Sequence, residues 1–382
     1  MLSAPHGHPR LVAATSALAA LLLMSSFASP ALADPFGSAL DWRPGPPRWT
    51  EPLTLIELGQ DGRTLMRVRG ARLEGFSLTA SRSPKPLTLP RASWTSVHLS
   101  PPTDGEVERA VLVARGKGQA PSRLVLIHLR TGRVMSDWTE RITVPLGEGH
   151  AGDSTRATPV ETTVHWAPDG RRFVAVGWTL GQPALAGELP IRWVESTLGS
   201  VVSRIDVPDL GSFGGVTRSV VLGDGRTLVL GTPSRLVVLG PGPIDARTIA
   251  LPSHSELIGL VNEGLVVHRR DRLLLIDPNG GPQSKSRADV LAELVWDGGG
   301  GGAGGAVGTG GLSRRASFVP SGRFGLVAPA DPKDTRLLLI DFQKKTVRPF
   351  ETLKLRPLLG SNRVVLLGDK RLGYIDLLRP LD

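Results

Sequence analysis

The chain contains no cysteine. That excludes disulfide staples, thiolate metal sites and thiol chemistry, so core burial alone must hold the fold. Aromatic residues make up only 5%, and just 8 of the 45 basic residues are lysine. The arginines are spread along the chain instead of forming a basic stripe interleaved with aromatics, so no nucleic-acid partner is expected. The formal charge of +10 reads as a solvated basic surface, weakly drawn to anionic envelope polymers or headgroups.

Long apolar runs are also missing. The longest, Leu11 to Met24, spans 14 residues, short of the roughly 20 needed to cross a bilayer. It follows Arg10 and precedes the small residues Ala31-Leu32-Ala33, the order found in a signal peptide cleaved before Asp34. An uncleaved anchor is the competing reading. The sequence therefore predicts export to a periplasmic or extracellular location, with no transmembrane segment in the mature protein. Helical periodicity is nearly absent; its best candidate, Arg287 to Trp296, reads as a short loop helix.

What the chain does have is a recurring hairpin. Thr163-Val164-His165-Trp166 is an apolar strand, Ala167-Pro168-Asp169-Gly170 a tight turn, and Arg172-Phe173-Val174-Ala175-Val176 a second strand. Weaker copies place a hairpin glycine or asparagine at Gly62, Gly105, Gly225, Gly264, Gly322 and Asn362. Behind each turn lies an apolar strand opened by Arg-Leu: Arg72-Leu73, Arg123-Leu124, Arg235-Leu236, Arg272-Leu273, Arg336-Leu337 and Arg371-Leu372. Ile191-Arg192-Trp193 stands in the odd unit. Three of the six intervals between turns lie near the roughly 40–45 residues of a four-stranded propeller blade, and the others contain loop insertions.

The expected fold class is all-β: a single seven-bladed β-propeller over residues 53–382, preceded by a signal peptide at 1–33 and a Pro-rich arm at 34–52. The insertions Leu146 to Glu161 and Leu180 to Leu189 read as loops. The Gly-rich run 298–311 reads as a flexible surface loop, because a phosphate cradle would need a Gly-Lys-Ser/Thr ending on a helix. The seventh unit runs out of chain after its third strand, at about Arg371 to Leu378. Part of Asp34 to Thr50 is therefore expected to supply the missing fourth strand, with Trp42 or Trp49 as an anchor.

His165-Trp166-Ala167-Pro168-Asp169-Gly170-Arg171 resembles the repeats of TolB-like propellers. The Leu-Leu-Leu-Ile-Asp segments at 273–277 and 337–341 resemble those of bacterial YVTN-type propellers, commonly seven-bladed. Other units depart from the turn motif: Phe318-Val319-Pro320-Ser321-Gly322 lacks the aspartate, and Val221-Leu222-Gly223-Asp224-Gly225 lacks the proline. The resemblance implies architecture and export and carries no catalytic residue.

No Gly-x-Ser-x-Gly elbow, His-Glu-x-x-His pair or calcium loop occurs. One constellation stands out. Aligning the hairpins puts Glu57, His98, His165 and Ser317 at one position on the innermost strands, with Val220, Gly259 and Pro357 in the other units. Innermost strands line a propeller's channel, so these four are the candidate ligand-binding residues. Glu57, His98 and His165 come from consecutive units and could make a zinc set with one open position. The alternative is that they are ordinary polar residues of the channel wall, and no metal or cofactor is expected. The functional expectation is a non-catalytic binding or scaffold module, a monomer that meets an envelope protein or polymer through its face loops. The alternative is a lactonase-like or other hydrolase using the channel groups.

Overall fold

The computed structural model describes residues 40–44 and 55–378, apart from 80–84, 115–121, 141–162, 181–187, 208–215, 241–245, 279–289, 296–315, 319–321, 328–335, 352–354, 369–370 and positions 217, 233–234, 254, 263 and 270–271. The signal peptide, most of the arm with Trp49, the 146–161 insertion and the Gly-rich run lie outside the described residues.

Among the described residues, twenty-eight strands, numbered in chain order, form seven four-stranded antiparallel sheets. Each sheet begins with an inner strand: β2 (Leu55–Leu58), β6 (Trp94–Leu99), β10 (Thr163–Trp166), β14 (Arg218–Val221), β18 (Ser255–Val261), β22 (Ala316–Phe318) and β26 (Arg356–Leu359). Six sheets are consecutive four-strand meanders. The last is different: β26, β27 (Arg363–Leu367) and β28 (Arg371–Asp376) are completed by β1 (Leu40–Pro44), which pairs Leu40 with Ile375 and Pro44 with Arg371. The arm thus supplies the backbone partners that β28 would otherwise lack.

A four-stranded sheet has two apolar faces, and the pleat sends alternate residues to each. On β11 (Arg172–Val176), Phe173 and Ala175 pack with Val111, Val113, Leu124 and Leu126 of the preceding sheet. Val174 and Val176 pack with Leu228, Leu230 and Val237 of the following one. Seven such clusters join the sheets in succession. The last two tie the sixth sheet to the seventh (Leu326 and Leu339 with Val364 and Leu366) and the seventh back to the first (Val365 and Leu367 with Ile56 and Leu65). Burial on both faces explains why second strands such as β11 read as continuous apolar runs instead of alternating ones.

The Arg-Leu markers all fall on the third strands of their sheets: β4 (Arg72–Ser77), β8 (Ser122–His128), β16 (Arg235–Leu239), β20 (Arg272–Ile276), β24 (Arg336–Asp341) and β28. In β4, β16 and β20 the arginine is exposed and the leucine buried. β12 (Leu189–Glu195) departs from this. Its Ile191 takes the leucine position opposite Val176, and Arg192 lies one residue further on, fully buried. Arg192 donates to Asp206 Oδ1 at 2.6 Å and to the Thr179 carbonyl at 3.1 Å, which partners the charge that burial would otherwise strand.

The hairpins are built by short polar side chains. Asp61 Oδ1 accepts from the backbone N–H of Arg63 and Thr64, both at 3.0 Å, and its Oδ2 from the Thr64 hydroxyl at 2.6 Å. Asp224 repeats this with Arg226 and Thr227. Asp169 keeps the contact with the N–H of Arg171 at 2.9 Å, and its turn closes through Gly170 at φ 66°. Gly264 is not a turn glycine: it opens β19 (Gly264–Arg269), where an added Cβ would stand 2.5 Å from the Ile276 carbonyl oxygen.

One sequence expectation is overturned outright. Within the segment expected to be a loop helix, the described residues Val290–Val295 form β21 instead, paired with β20 from Arg272↔Val295 to Ile276↔Val290. The exposed edge of β20 needs a partner, and this tertiary demand overrides the local helical pattern of the segment.

Candidate functional site: the central channel

The inner strands border a cavity of about 370 Å³, whose wall draws residues from all seven sheets. Ladder pairing fixes which residues share a level. Glu57 lies opposite Met66, His98 opposite Val111, His165 opposite Val174, Val220 opposite Val229, Gly259 opposite Val266 and Ser317 opposite Leu326. In the seventh sheet this register belongs to Leu358, opposite Val365, and not to Pro357. The error comes from a shorter hairpin: Gly360 N–H closes directly on the Arg363 carbonyl, across two residues, where Gly59 closes on Thr64 across four. Counting back from Asn362 therefore misplaces the strand.

Glu57, His98 and His165 all line the cavity. Ser317 holds the same register on β22, and its side chain lies outside the described residues. The two histidines stand close enough to influence one another, because His98 contributes to depressing the His165 pKa. The charge that acts on Glu57 is that of Arg356. Among the described residues, no three histidine, aspartate or glutamate side chains are grouped closely enough to hold a metal ion. The zinc set drawn from the alignment is therefore not assembled.

Each group is held in its neutral form. Burial lifts the Glu57 carboxyl from 4.5 to about 8, against a smaller opposing pull from Arg356. Burial drops His98 from 6.5 to about 4. His165 falls to about 3, first through burial and then through His98 and Arg218. Hydroxyls satisfy the imidazoles. His98 Nε2 is 2.9 Å from the Ser96 hydroxyl. His165 Nε2 is 2.6 Å from the Ser219 hydroxyl on the next sheet and 3.2 Å from that of Thr163, and these two hydroxyls lie 2.7 Å apart. Trp166 continues the link backwards, its indole N–H donating to the His98 carbonyl at 3.0 Å.

The alignment missed a second tier. Strand side chains repeat every two residues, so the position two before the aligned one shares its face. That tier holds Ser96, Thr163, Arg218 and Arg356, which supply the histidines' hydroxyl partners and the site's cations. Part of the signal was in the sequence: the same alignment, extended by one strand period, finds Ser96, Thr163 and Arg218 but misses Arg356, because it put Pro357 where Leu358 belongs. Ser219, of opposite parity and buried, could be found only from the packing of β14 against β10.

The wall is lopsided. Sheets one to four contribute the polar groups Glu57, Gln60, His98, His165, Arg218 and Ser219 together with Leu58, Leu99, Val164, Trp166, Val220 and Val221. Sheets five to seven contribute mainly apolar surface, including Ile258, Phe318, Pro357 and Leu358. Gly259 makes room for the Phe318 ring, since a Cβ there would lie 2.4 Å from it.

A second concavity, of about 430 Å³, opens on the hairpin face between sheets three and four. It is lined by Asp169, Arg171, Arg172, Glu195, Asp224 and Arg226 among others. Here the turn aspartates fix the backbone from which the arginines project.

No family model and no curated protein matches the chain. Among solved structures, it is similar to the β-propeller domain of Cps50 (Swd1) from Myceliophteria thermophila, with a TM-score of 0.55 at 13% identity, covering 85% of this chain and 95% of that one. A likeness to Kuenenia stuttgartiensis hydrazine synthase, at 13% identity over 78% of this chain and 82% of that one, has a TM-score of 0.42 and carries no argument. At such identity the similarity establishes the fold alone: the chain is a β-propeller.

Proposed function

We propose that this chain is an exported, non-catalytic binding or scaffold module of the cell envelope, with its seven sheets acting as the blades of one closed, monomeric ring. The observation that carries the reading is the hairpin face. Hairpins pinned by aspartate side chains hold Arg171, Arg172 and Arg226 around a 430 Å³ concavity that also presents Asp169, Glu195 and Asp224. A rigid face of mixed charge suits an envelope protein or polymer without any catalytic group. Export rests on Leu11 to Met24 and the Ala31-Leu32-Ala33 cleavage pattern. Kinship with TolB-like and YVTN-type propellers rests on the turn at 165–171 and the Leu-Leu-Leu-Ile-Asp segments.

Mild crosslinking in the native host, followed by purification, tests the reading. A partner recovered with the wild type should be lost with Arg171→Glu, Arg226→Glu while the protein stays folded. Recovery that ignores both charges, or no partner at all, would refute it.

The hydrolase reading has one observation in its favour, a protonated carboxyl and two neutral imidazoles in one channel. Against it, imidazoles with pKa values of about 4 and 3 are poor bases at pH 7. The His165 Nε2 is also already engaged by two hydroxyls.

A further inference from the structure

We propose that the face opposite the hairpin turns docks on an anionic lipid surface through a planar array of arginines. This goes beyond the hairpin-face reading and uses neither Arg171 nor Arg226.

The topology separates the two faces. Turns between first and second strands touch from sheet to sheet. A Cβ on Gly225 would meet that of Ala167 at 3.1 Å. The Asn262 N–H donates to the Gly322 carbonyl, and the Ser361 N–H to the Gln60 carbonyl. These turns share one face, so every third strand of the antiparallel meanders starts from the other.

That start is where the Arg-Leu arginines stand. Arg72, Arg123, Arg235 and Arg272 occupy the last rungs of their ladders, opposite Arg69, Ala114, Thr232 and Arg269. Arg336 and Arg371 open β24 and β28 at the same end. Among the described residues of these strand ends and connections, the single acid is Glu188. Connections from fourth to first strands share this face and are balanced there, Arg91, Arg218 and Arg356 against Glu140, Glu256 and Glu351.

The hairpin face differs. Among the described residues, its first-to-second strand turns carry seven arginines but also Asp61, Asp104, Glu106, Glu108, Asp169 and Asp224. The third-to-fourth strand turns beside them are also near balance. The formal charge of +10 is thus polarised across the molecule. With Asp137 bound to Arg123 and Glu188 subtracted, the described residues of the basic face keep a surplus of roughly six charges, a field that attracts anions. Acidic partners within the face are already counted, so internal pairing leaves that surplus unchanged.

Placement selects the partner. The array is spread over six of the seven sheets at one end of their third strands, too dispersed to converge on one small anion. Arg69, Arg72, Arg235 and Arg272 are exposed there. A flat array matches a flat charged surface, and each arginine near an anionic leaflet strengthens binding about five-fold.

The test is co-sedimentation of the exported protein with vesicles of phosphatidylcholine, alone or with roughly 30% phosphatidylglycerol, in about 0.1 M salt. Only the anionic vesicles should bind it, and about 0.5 M salt should release it by screening. Arg72→Gln, Arg235→Gln and Arg272→Gln together should lower the partition coefficient about 100-fold, and each alone about five-fold. Arg63→Gln, Arg171→Gln and Arg226→Gln together should change it less than about two-fold, since about 17 Å of strand, more than a Debye length, lies between the faces. Thermal unfolding separates lost binding from lost fold, and the single variants carry the test if the triple does not fold. Equal binding to neutral vesicles, no binding to either, or equal loss from the two triples would overturn the proposal. So would tighter binding to poly-L-glutamate than to the vesicles per negative charge, which would make the partner a soluble polymer. Arg171 and Arg226 serve partner capture and not vesicle binding, so the two readings fail separately.

Discussion

Replacing Glu57 with glutamine should abolish a loss of stability that the wild type suffers as the solution becomes alkaline. The folded chain holds the Glu57 proton up to about pH 8, while the unfolded chain releases it near 4.5. Between these values the folded state binds more protons than the unfolded state. Stability therefore falls as pH rises through this window, and the loss is complete above about 8. At 1.36 kcal/mol per pH unit the ceiling is ~5 kcal/mol. The pull of Arg356 is already contained in that value; water entering the channel brings the loss down, to about 2–4 kcal/mol. The substituted glutamine keeps the neutral shape without the proton equilibrium.

The assay is urea unfolding of both proteins from pH 5 to 9, and the quantity read is the difference between their stabilities at each pH. Lysines and the single tyrosine titrate alike in both and cancel. The wild type should lose about 2–4 kcal/mol relative to Glu57→Gln across that range. Parallel curves would mean that Glu57 ionises freely and is not enclosed by the inner strands.

Gly170→Val should cost about 1–3 kcal/mol, read by thermal unfolding, because φ is 66° and the new Cβ would meet the Pro101 carbonyl oxygen at 3.3 Å. Gly70→Asn, at φ 57° with nothing within 4 Å, should cost under about 1 kcal/mol in the same assay. Deleting residues 40–44 removes the partner of β28, and the unfolding midpoint should fall; an unchanged transition would contradict the closure by β1. Ser219→Ala removes the 2.6 Å contact with His165 and should destabilise the chain by about 1–2 kcal/mol in urea unfolding.

The parts of this structure legible in the sequence are those set by short-range chemistry. Asp-Gly at 61–62 and 224–225 announces a turn because the aspartate accepts from the N–H groups two and three residues ahead and glycine takes the left-handed angle. The Arg-Leu pairs announce third strands because exposure switches to burial at that step. The expected donor role of the arm is met by β1, which pairs with β28. What escaped depends on contacts distant in sequence. Val290–Val295 is a strand because β20 needs an outer partner. Leu358 replaces Pro357 in the channel because one hairpin is two residues shorter. Arg218 was accessible by extending the hairpin alignment that found Glu57 by one strand period; Arg356 was not, because that alignment put Pro357 where Leu358 belongs. Ser219 was not, because its role exists only once two neighbouring sheets are packed.

Nuclear magnetic resonance of the histidine rings tests the central claim, that consecutive inner strands bring His98 and His165 into one desolvating channel. Folded states that keep these rings neutral lose stability as pH falls below 6.5, so the spectra are best taken at pH 5 and above. His98→Gln and His165→Gln assign the two signals. At pH 5 both should still show the shifts of neutral imidazole, since their pKa values lie near 4 and 3, while solvated histidines are already protonated. If His98 and His165 instead titrate near 6.5, the two side chains stand in water and the channel described here does not exist.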